Sequence, residues 1–229
     1  MLAVMIEPTQ AVVIGAGMAG LLAASALSET FGQVMLMERD QLPARISGCR
    51  DVSQGKHLHL LLADGLAALN KRFPGFDAEL LAAGAIRPSV RSGRVIDVHP
   101  KNPQTSGSIG CFCSRGLLEQ LVRERVRELP DVEIVGHRDV LGIVRTDDGQ
   151  IISGVRIKSR VDSTEISQLT VDLVIDETGR ALQNSRWLTV LGYLPAKETA
   201  PTAVCCSRTG AQAHAHSARR AHTQPPEIT

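Results

Sequence analysis

The chain has 229 residues, 25 Lys and Arg against 24 Asp and Glu, a formal net charge of +1, and 43% hydrophobic residues. The near balance of charge gives no electrostatic reason to expect nucleic acid or an anionic membrane as a partner. Four Phe, one Trp and one Tyr are too few for a base-stacking surface of interleaved aromatic residues. The length corresponds to one large domain or two small ones.

The start of the chain predicts a β-strand, an α-helix and a second β-strand. The apolar run Ala11–Ile14 ends at Gly15 and is typical of a parallel strand buried on both faces. An Ala- and Leu-rich helix is predicted from Met18 to Phe31, with Gly32 as its C-terminal cap. A second buried strand follows at Val34–Met37, and together these elements form a βαβ unit.

The middle of the chain predicts further helices and short strands. Helices are expected at Leu58–Phe73 and Phe76–Ala83, and short strands at Ile86–Val90 and Arg94–Val98. Ser114 is a candidate N-cap for a helix that runs to about Leu129 and carries its apolar residues at helical spacing.

The pattern then becomes all-β. Strands are predicted at Val132–Val135, Val140–Thr146, Ile151–Lys158 and Leu169–Ile175, with a hairpin turn at Asp147–Asp148–Gly149. A short helix at Ser185–Gly192 carries Trp187. The fold class is therefore α/β, a βαβ unit with a parallel sheet, followed by a β-meander.

Residues 201–229 show neither strand nor helix periodicity and are predicted to be disordered. The chain thus divides into a folded part, 1–200, and a tail, 201–229. The first ten residues hold no Lys or Arg, so a secretory signal is not indicated, and no apolar run is long enough to span a membrane. A cytoplasmic protein is expected.

Five cysteines are present without a C-x-x-C pair or a Cys/His set of zinc-site spacing. Free thiols in a reducing compartment and no metal site are the expectation.

Gly15, Gly17 and Gly20 form a G-x-G-x-x-G motif between the first strand and the first helix. Such glycines allow a tight turn, close approach of a pyrophosphate to the backbone, and close helix packing. Glu38 ends the next strand and can accept hydrogen bonds from a ribose, which favours FAD or NAD over NADP. The alternative is a glycine-rich turn that binds no nucleotide.

Four segments resemble flavin-dependent monooxygenases of the para-hydroxybenzoate hydroxylase type, and a bacterial subgroup that includes polyether epoxidases. They are the glycine motif with Glu38–Arg39–Asp40, the run 50–61 (RDVSQGKHLHLL), the helix start 114–119 (SRGLLE), and the strand and turn 172–180 (DLVIDETGR). The resemblance covers about residues 10–200 and implies a Rossmann-like FAD-binding domain.

The resemblance implies an FAD-binding oxidoreductase, a monooxygenase or epoxidase, that inserts one oxygen atom of O₂ into a small organic substrate, with NAD(P)H as electron donor. The residues that it assigns to the cofactor are Gly15, Ala16, Gly17, Ala19, Gly20, Glu38, Arg39, Arg50, Gln54, Arg115 and Gly179. Arg115 could instead be a solvated residue of a first helical turn. No catalytic base is assigned, because the flavin would be the reactive centre.

Members of this family are about twice as long, and nothing after Tyr193 resembles their second half. The expectation is a truncated or frame-shifted chain that holds an incomplete FAD-binding domain; a natural disordered extension is the alternative for residues 201–229. Two other functions stay open: an NAD-dependent dehydrogenase and a non-catalytic dinucleotide-binding remnant.

Overall fold

The computed structural model describes residues 9–42, 58–87, 110–149, 151–162, 164–179 and 183–194. Their elements run in the order β1 (Gln10–Ile14), α1 (Met18–Leu27), β2 (Gln33–Met37), β3 (Leu58–Leu61), α2 (Ala63–Arg72), α3 (Phe76–Ala82), β4 (Cys111–Ser114), α4 (Arg115–Arg127), β5 (Val132–Val135), β6 (Arg138–Arg145), β7 (Ile152–Ser159), β8 (Ile166–Thr170), β9 (Leu173–Asp176) and α5 (Gln183–Val190).

A four-stranded parallel sheet is the centre of the fold. Its strand order is β5–β2–β1–β9, and β1 pairs in parallel with both β2 and β9. Val12 and Val13 are both fully buried although they point to opposite faces of β1. Both faces of the sheet are therefore covered, which explains the continuous apolar run and confirms the predicted parallel sheet.

Helices cover one face of this sheet and an antiparallel sheet covers the other. Val13 and Leu36 belong to the apolar cluster that includes buried residues of α1, α3 and α4. Val12 and Ile14 belong to a second cluster with Val155 of β7. The second sheet has the order β6–β7–β8 and is antiparallel throughout, which confirms the predicted β-meander.

The predicted strand Leu169–Ile175 is two strands in two different sheets. The N–H of Val171 bonds to Ser153 of the meander, whereas the N–H of the next residue, Asp172, bonds to Gln10 at the start of β1. The chain therefore leaves the antiparallel sheet and enters the parallel one between residues 171 and 172. A continuous apolar pattern does not reveal such a change of partner.

The predicted helix Leu58–Phe73 is wrong in its first turn. Leu58–Leu61 is strand β3, which pairs antiparallel with Cys111–Ser114, and the helix α2 begins only at Ala63. Pairing with a partner distant in sequence has overridden local helix propensity.

Two other boundaries differ from the prediction. Helix α1 ends at Leu27 with Ser28 as its C-cap, so Gly32 is not the cap. Ile86 forms an isolated bridge with Phe112; the rest of the predicted strand Ile86–Val90, and all of Arg94–Val98, lie outside the described residues.

Candidate functional site

Three parallel strands end side by side at one edge of the central sheet. Ile14, the last residue of β1, is in register with Met37 of β2 and with Asp176 of β9. The residues that follow these strands therefore meet at one edge, where ligands of open parallel sheets bind. We call this the strand-end site and define it by residues 15–20, 38 and 176–179.

Gly15 makes the turn from β1 into α1. Its φ of +101° is one that residues with a Cβ rarely adopt, and its N–H donates to the carbonyl of Met37 at 2.7 Å. A Cβ built on Gly15 would lie 2.6 Å from the carbonyl oxygen of Glu177. Backbone conformation and the close approach of the loop after β9 thus both require glycine here.

Gly20 is required by packing within the same turn, since an added Cβ would lie 1.8 Å from the carbonyl oxygen of Gly15. Gly17 differs, because its added Cβ meets no atom within 4 Å. It is the exposed N-cap of α1 and its φ of −72° is ordinary. The space in front of Gly17 is therefore open to a ligand.

The first turn of α1 can accept an anion. Within the described part of the chain, no side chain caps α1 through a hydrogen bond, and no acidic residue lies in its first turn. The first N–H groups of a helix lack acceptors within the helix, and they lie at the positive end of its dipole. Together with the open approach at Gly17, this is the arrangement that binds phosphate groups.

The carboxylate of Glu38 is fixed beside the glycine turn. Oε2 accepts a hydrogen bond from the N–H of Ala16 at 2.8 Å, and Oε1 accepts one from the N–H of Asp40 at 3.2 Å. A carboxylate oxygen has two lone-pair sites, so each oxygen can accept a further bond from a ligand hydroxyl.

Asp176 is a feature of this site that sequence reasoning did not select. Its Oδ1 accepts a hydrogen bond from the N–H of Thr178 at 2.9 Å, while Oδ2 is buried and has no hydrogen-bond partner within the part of the chain described here. Its position at the end of a parallel strand was the available signal. Gly179, a predicted cofactor residue, follows with φ +71° and is exposed.

Arg39 and Arg115 are predicted cofactor residues that lie within the described residues. Arg39 has a side chain that is 63% exposed, with Nε 3.9 Å from Asp40 Oδ1. Arg115 is the first residue of α4, and its Nε donates to Oε1 of the buried Glu119 at 2.8 Å. Its side chain is thus ion-paired rather than simply solvated. Arg50 and Gln54 lie outside the described residues.

Ser114 caps α4 as predicted, because its Oγ accepts a hydrogen bond from the N–H of Leu117 at 3.1 Å.

The thiols of β4 are not available as nucleophiles. Cys111 and Cys113 are buried and free. Burial, and next the neighbouring Cys111, raise the pKa of the Cys113 thiol to about 11; burial also raises the pKa of Cys111. Both are therefore neutral near pH 7. The described segments contain no cluster of three or more His, Cys, Asp or Glu able to hold a metal ion.

Among the described helices, none combines the length and apolarity that a membrane span requires.

Comparisons with known proteins show what the chain is similar to in sequence and in fold. No model of a known protein family matches the chain. Protein Rv3254 of Mycobacterium tuberculosis (strain ATCC 25618 / H37Rv) is 34% identical over 202 residues, which are 82% of this chain and 42% of the relative. The chain thus spans less than half the length of this curated relative.

Two solved structures show the fold. The flavin-dependent monooxygenase PieE, whose structure contains FAD and substrate, superposes with a TM-score of 0.54 at 22% identity over 83% of this chain and 33% of PieE. FqzB superposes with a TM-score of 0.54 at 18% identity over 80% of this chain and 38% of FqzB. The mixed α/β fold is therefore similar to that of a flavin-dependent monooxygenase.

Proposed function

We propose that the strand-end site binds the ADP half of FAD and that the chain is part of a flavin-dependent oxidoreductase of the monooxygenase type. The observation that carries this proposal is the open, uncapped start of α1 at Gly17 beside the carboxylate of Glu38. A dinucleotide needs both, because its pyrophosphate is an anion and its ribose carries hydroxyl donors.

Each residue of the site has a distinct part in binding. Gly17 leaves space for the pyrophosphate, and the N–H groups at the start of α1 donate to its oxygens. Glu38, held by the N–H groups of Ala16 and Asp40, accepts hydrogen bonds from the ribose hydroxyls. Gly15 and Gly20 bring the loop close enough to β9 and to α1 for these groups to converge.

The flavin, when bound, supplies the redox chemistry that activates O₂. On the sequence resemblance we propose that one oxygen atom is inserted into a small organic substrate, by hydroxylation or epoxidation, with NAD(P)H as electron donor. The cofactor side chains proposed beyond the strand-end site are Arg39, Arg50, Gln54 and Arg115. The chain's protein groups bind and orient the cofactor, and none is assigned as a catalytic base.

An NAD-dependent dehydrogenase is the weaker candidate. Such an enzyme needs a proton-transferring side chain, and Tyr193 is the chain's single tyrosine. The Tyr193 ring lies 5.4 Å from the Arg145 guanidinium of the meander. Nothing in the described part of the site supplies a Tyr or His for hydride chemistry.

The deciding experiment measures FAD and NAD binding by the purified chain, through the flavin spectrum after gel filtration and through calorimetry. A Cβ at Gly17 would meet no protein atom within 4 Å, so in Gly17→Leu we expect the side chain to occupy the open approach and the FAD affinity to fall at least about tenfold. Because Leu is a poorer N-cap than Gly, a small loss of thermal stability is expected as well. Ala26→Leu adds the same side chain on an exposed position of the same helix and should leave FAD affinity unchanged. Tight NAD binding without FAD binding would overturn the proposal.

A further inference from the structure

A cavity of about 670 Å³ lies against the β-meander and α5, and it shares no residue with the strand-end site. This volume is within the range of about 300–1,000 Å³ typical of small-molecule sites. Its lining residues come from the middle of β6, from β7 and β8, and from α5 with the turn that follows it. We call it the β6–α5 cavity.

Two irregularities of β6 create this space. Leu141 is an extra residue at a bulge between Val140 and Gly142, and it is partly exposed toward the cavity. Gly142 has no side chain, and a Cβ built on it would meet no atom within 4 Å. Bulges of this kind commonly re-aim side chains next to functional sites.

Strand register places two polar side chains beside the space left by Gly142. Gly142 pairs with Arg156 of β7, and Arg156 pairs with Gln168 of β8, so the three form one row across the sheet. Val155, the residue before Arg156, is fully buried against the parallel sheet. Arg156 and Gln168 therefore project from the opposite face of the meander.

The charge of the lining is positive. Arg145 and Arg156 line the cavity and no acidic residue does, within the described residues. Arg145 is held in place by a hydrogen bond to the Leu191 carbonyl and by its contact with the Tyr193 ring. Arg156 is exposed and makes no hydrogen bond or ion pair with any residue in the described ranges, and its guanidinium carries five N–H donors.

An apolar part of the lining comes from α5 and the turn that follows it. It consists of Trp187, Val190 and Leu191, and Trp187 also packs against the apolar cluster beneath the meander. A lining that combines apolar residues with an Arg guanidinium suits a ligand with an apolar body and an anionic end, because Arg binds carboxylates through two parallel hydrogen bonds.

We propose that the β6–α5 cavity binds an amphipathic organic carboxylate. The carboxylate bonds to Arg156 with Gln168 as a second donor, and the apolar body lies against Trp187 and Val190. This site is separate from the proposed FAD site, so either proposal can fail alone.

Trp187 is the single tryptophan of the chain, so its fluorescence reports directly on the cavity. We would titrate the full chain with sodium decanoate below its micelle concentration, and with decanol as the neutral comparator. A saturable change with decanoate is expected, with weaker binding of decanol. In Arg156→Gln the decanoate Kd should rise about tenfold or more, as loss of a charged hydrogen bond implies.

Two further variants test whether the signal comes from the cavity and from Arg156 in particular. Gly142→Leu adds an apolar side chain at a strand position where a Cβ meets no atom within 4 Å, and by occupying the cavity it should abolish the signal. Lys158→Gln removes a charge from the same face of β7, two residues from Arg156 and outside the lining, and should leave the Kd unchanged. Absence of a saturable change, equal binding of decanol, or an equal rise in Kd in Lys158→Gln would each overturn the proposal. FAD affinity, measured alongside, should be the same in all variants.

Discussion

The backbone N–H of Ala16 donates a hydrogen bond of 2.8 Å to Oε2 of Glu38. The turn after β1 and the residue after β2 are therefore joined directly, and a ligand on one of them is oriented by the other. The same two strands are joined by the bond from the N–H of Gly15 to the carbonyl of Met37. The ends of β1 and β2 thus hold the site in place before any ligand binds.

Replacement of Glu38 by Gln should weaken FAD binding more than it weakens the fold. The amide oxygen can still accept the bond from Ala16, but the charged acceptor for the ribose is lost. Hydrogen bonds to charged groups contribute about 1.5–3 kcal/mol, so the FAD Kd should rise roughly 10- to 100-fold. Calorimetric titration with FAD, together with thermal unfolding of the apoprotein, measures both effects. An unchanged Kd would show that the charge of Glu38 does not contribute to FAD binding.

Gly20→Ala should destabilise the chain itself. The new Cβ would lie 1.8 Å from the Gly15 carbonyl, a backbone atom that cannot move without shifting the turn. Overpacking of this kind costs about 1–3 kcal/mol. The matched control is Gly32→Ala, where the nearest atom to the new Cβ is 3.4 Å away. Urea unfolding of both variants checks this, and equal stabilities would contradict the close packing of α1 on the turn.

Much of the parallel sheet and the glycine turn could be predicted because the signals are local. Three glycines at fixed spacing, an apolar run before them and Glu38 after the next strand lie within one short segment. The positive φ at Gly15 and the close backbone contact that a Cβ would make at Gly20 confirm that the fold requires glycine at these two positions.

The remaining features depend on partners far away in sequence. Leu58–Leu61 has helical composition and is a strand only because it pairs with Cys111–Ser114. The contact between Gly15 and the carbonyl of Glu177 depends on how β9 enters the sheet beside β1. The β6–α5 cavity depends on a bulge at Leu141 that no periodicity signals.

The Asp172 side chain joins the start of β9 to the start of β1. Its replacement should change how the stability of the chain depends on pH. Its Oδ2 accepts hydrogen bonds from the N–H groups of Thr9 and Gln10, both at 3.0 Å, and these bonds, that of Gln10 first, lower the pKa of the carboxyl from its usual 3.8. A lowered folded-state pKa contributes stability above the unfolded-state value and loses it as the pH falls through the folded value.

We therefore expect Asp172→Asn to unfold at a lower temperature than the parent at pH 7, with a difference that shrinks as the pH is lowered below about 3.8. Asp131→Asn is the control, because the Asp131 side chain is exposed and makes no hydrogen bond with the described residues. A constant difference across this range would show that charge on Asp172 does not carry the effect.

The buried thiols of β4 should make the folded chain progressively less stable as the pH rises from about 9 toward 11. The pKa of Cys113 is raised to about 11 from 9.0 by burial and then by Cys111, so in the folded chain this thiol keeps its proton where the unfolded chain loses it. Stability from this group is complete below pH 9 and is lost as the pH rises toward 11. Cys113→Ala, with no group to titrate, should show a flatter decline of the unfolding free energy between these pH values.

Iodoacetamide labelling at pH 8, followed by mass spectrometry of the β4 peptide, should detect modification of Cys111 and Cys113 only after unfolding, since both are buried and protonated. Rapid labelling of either cysteine in the native chain would contradict the buried position of β4.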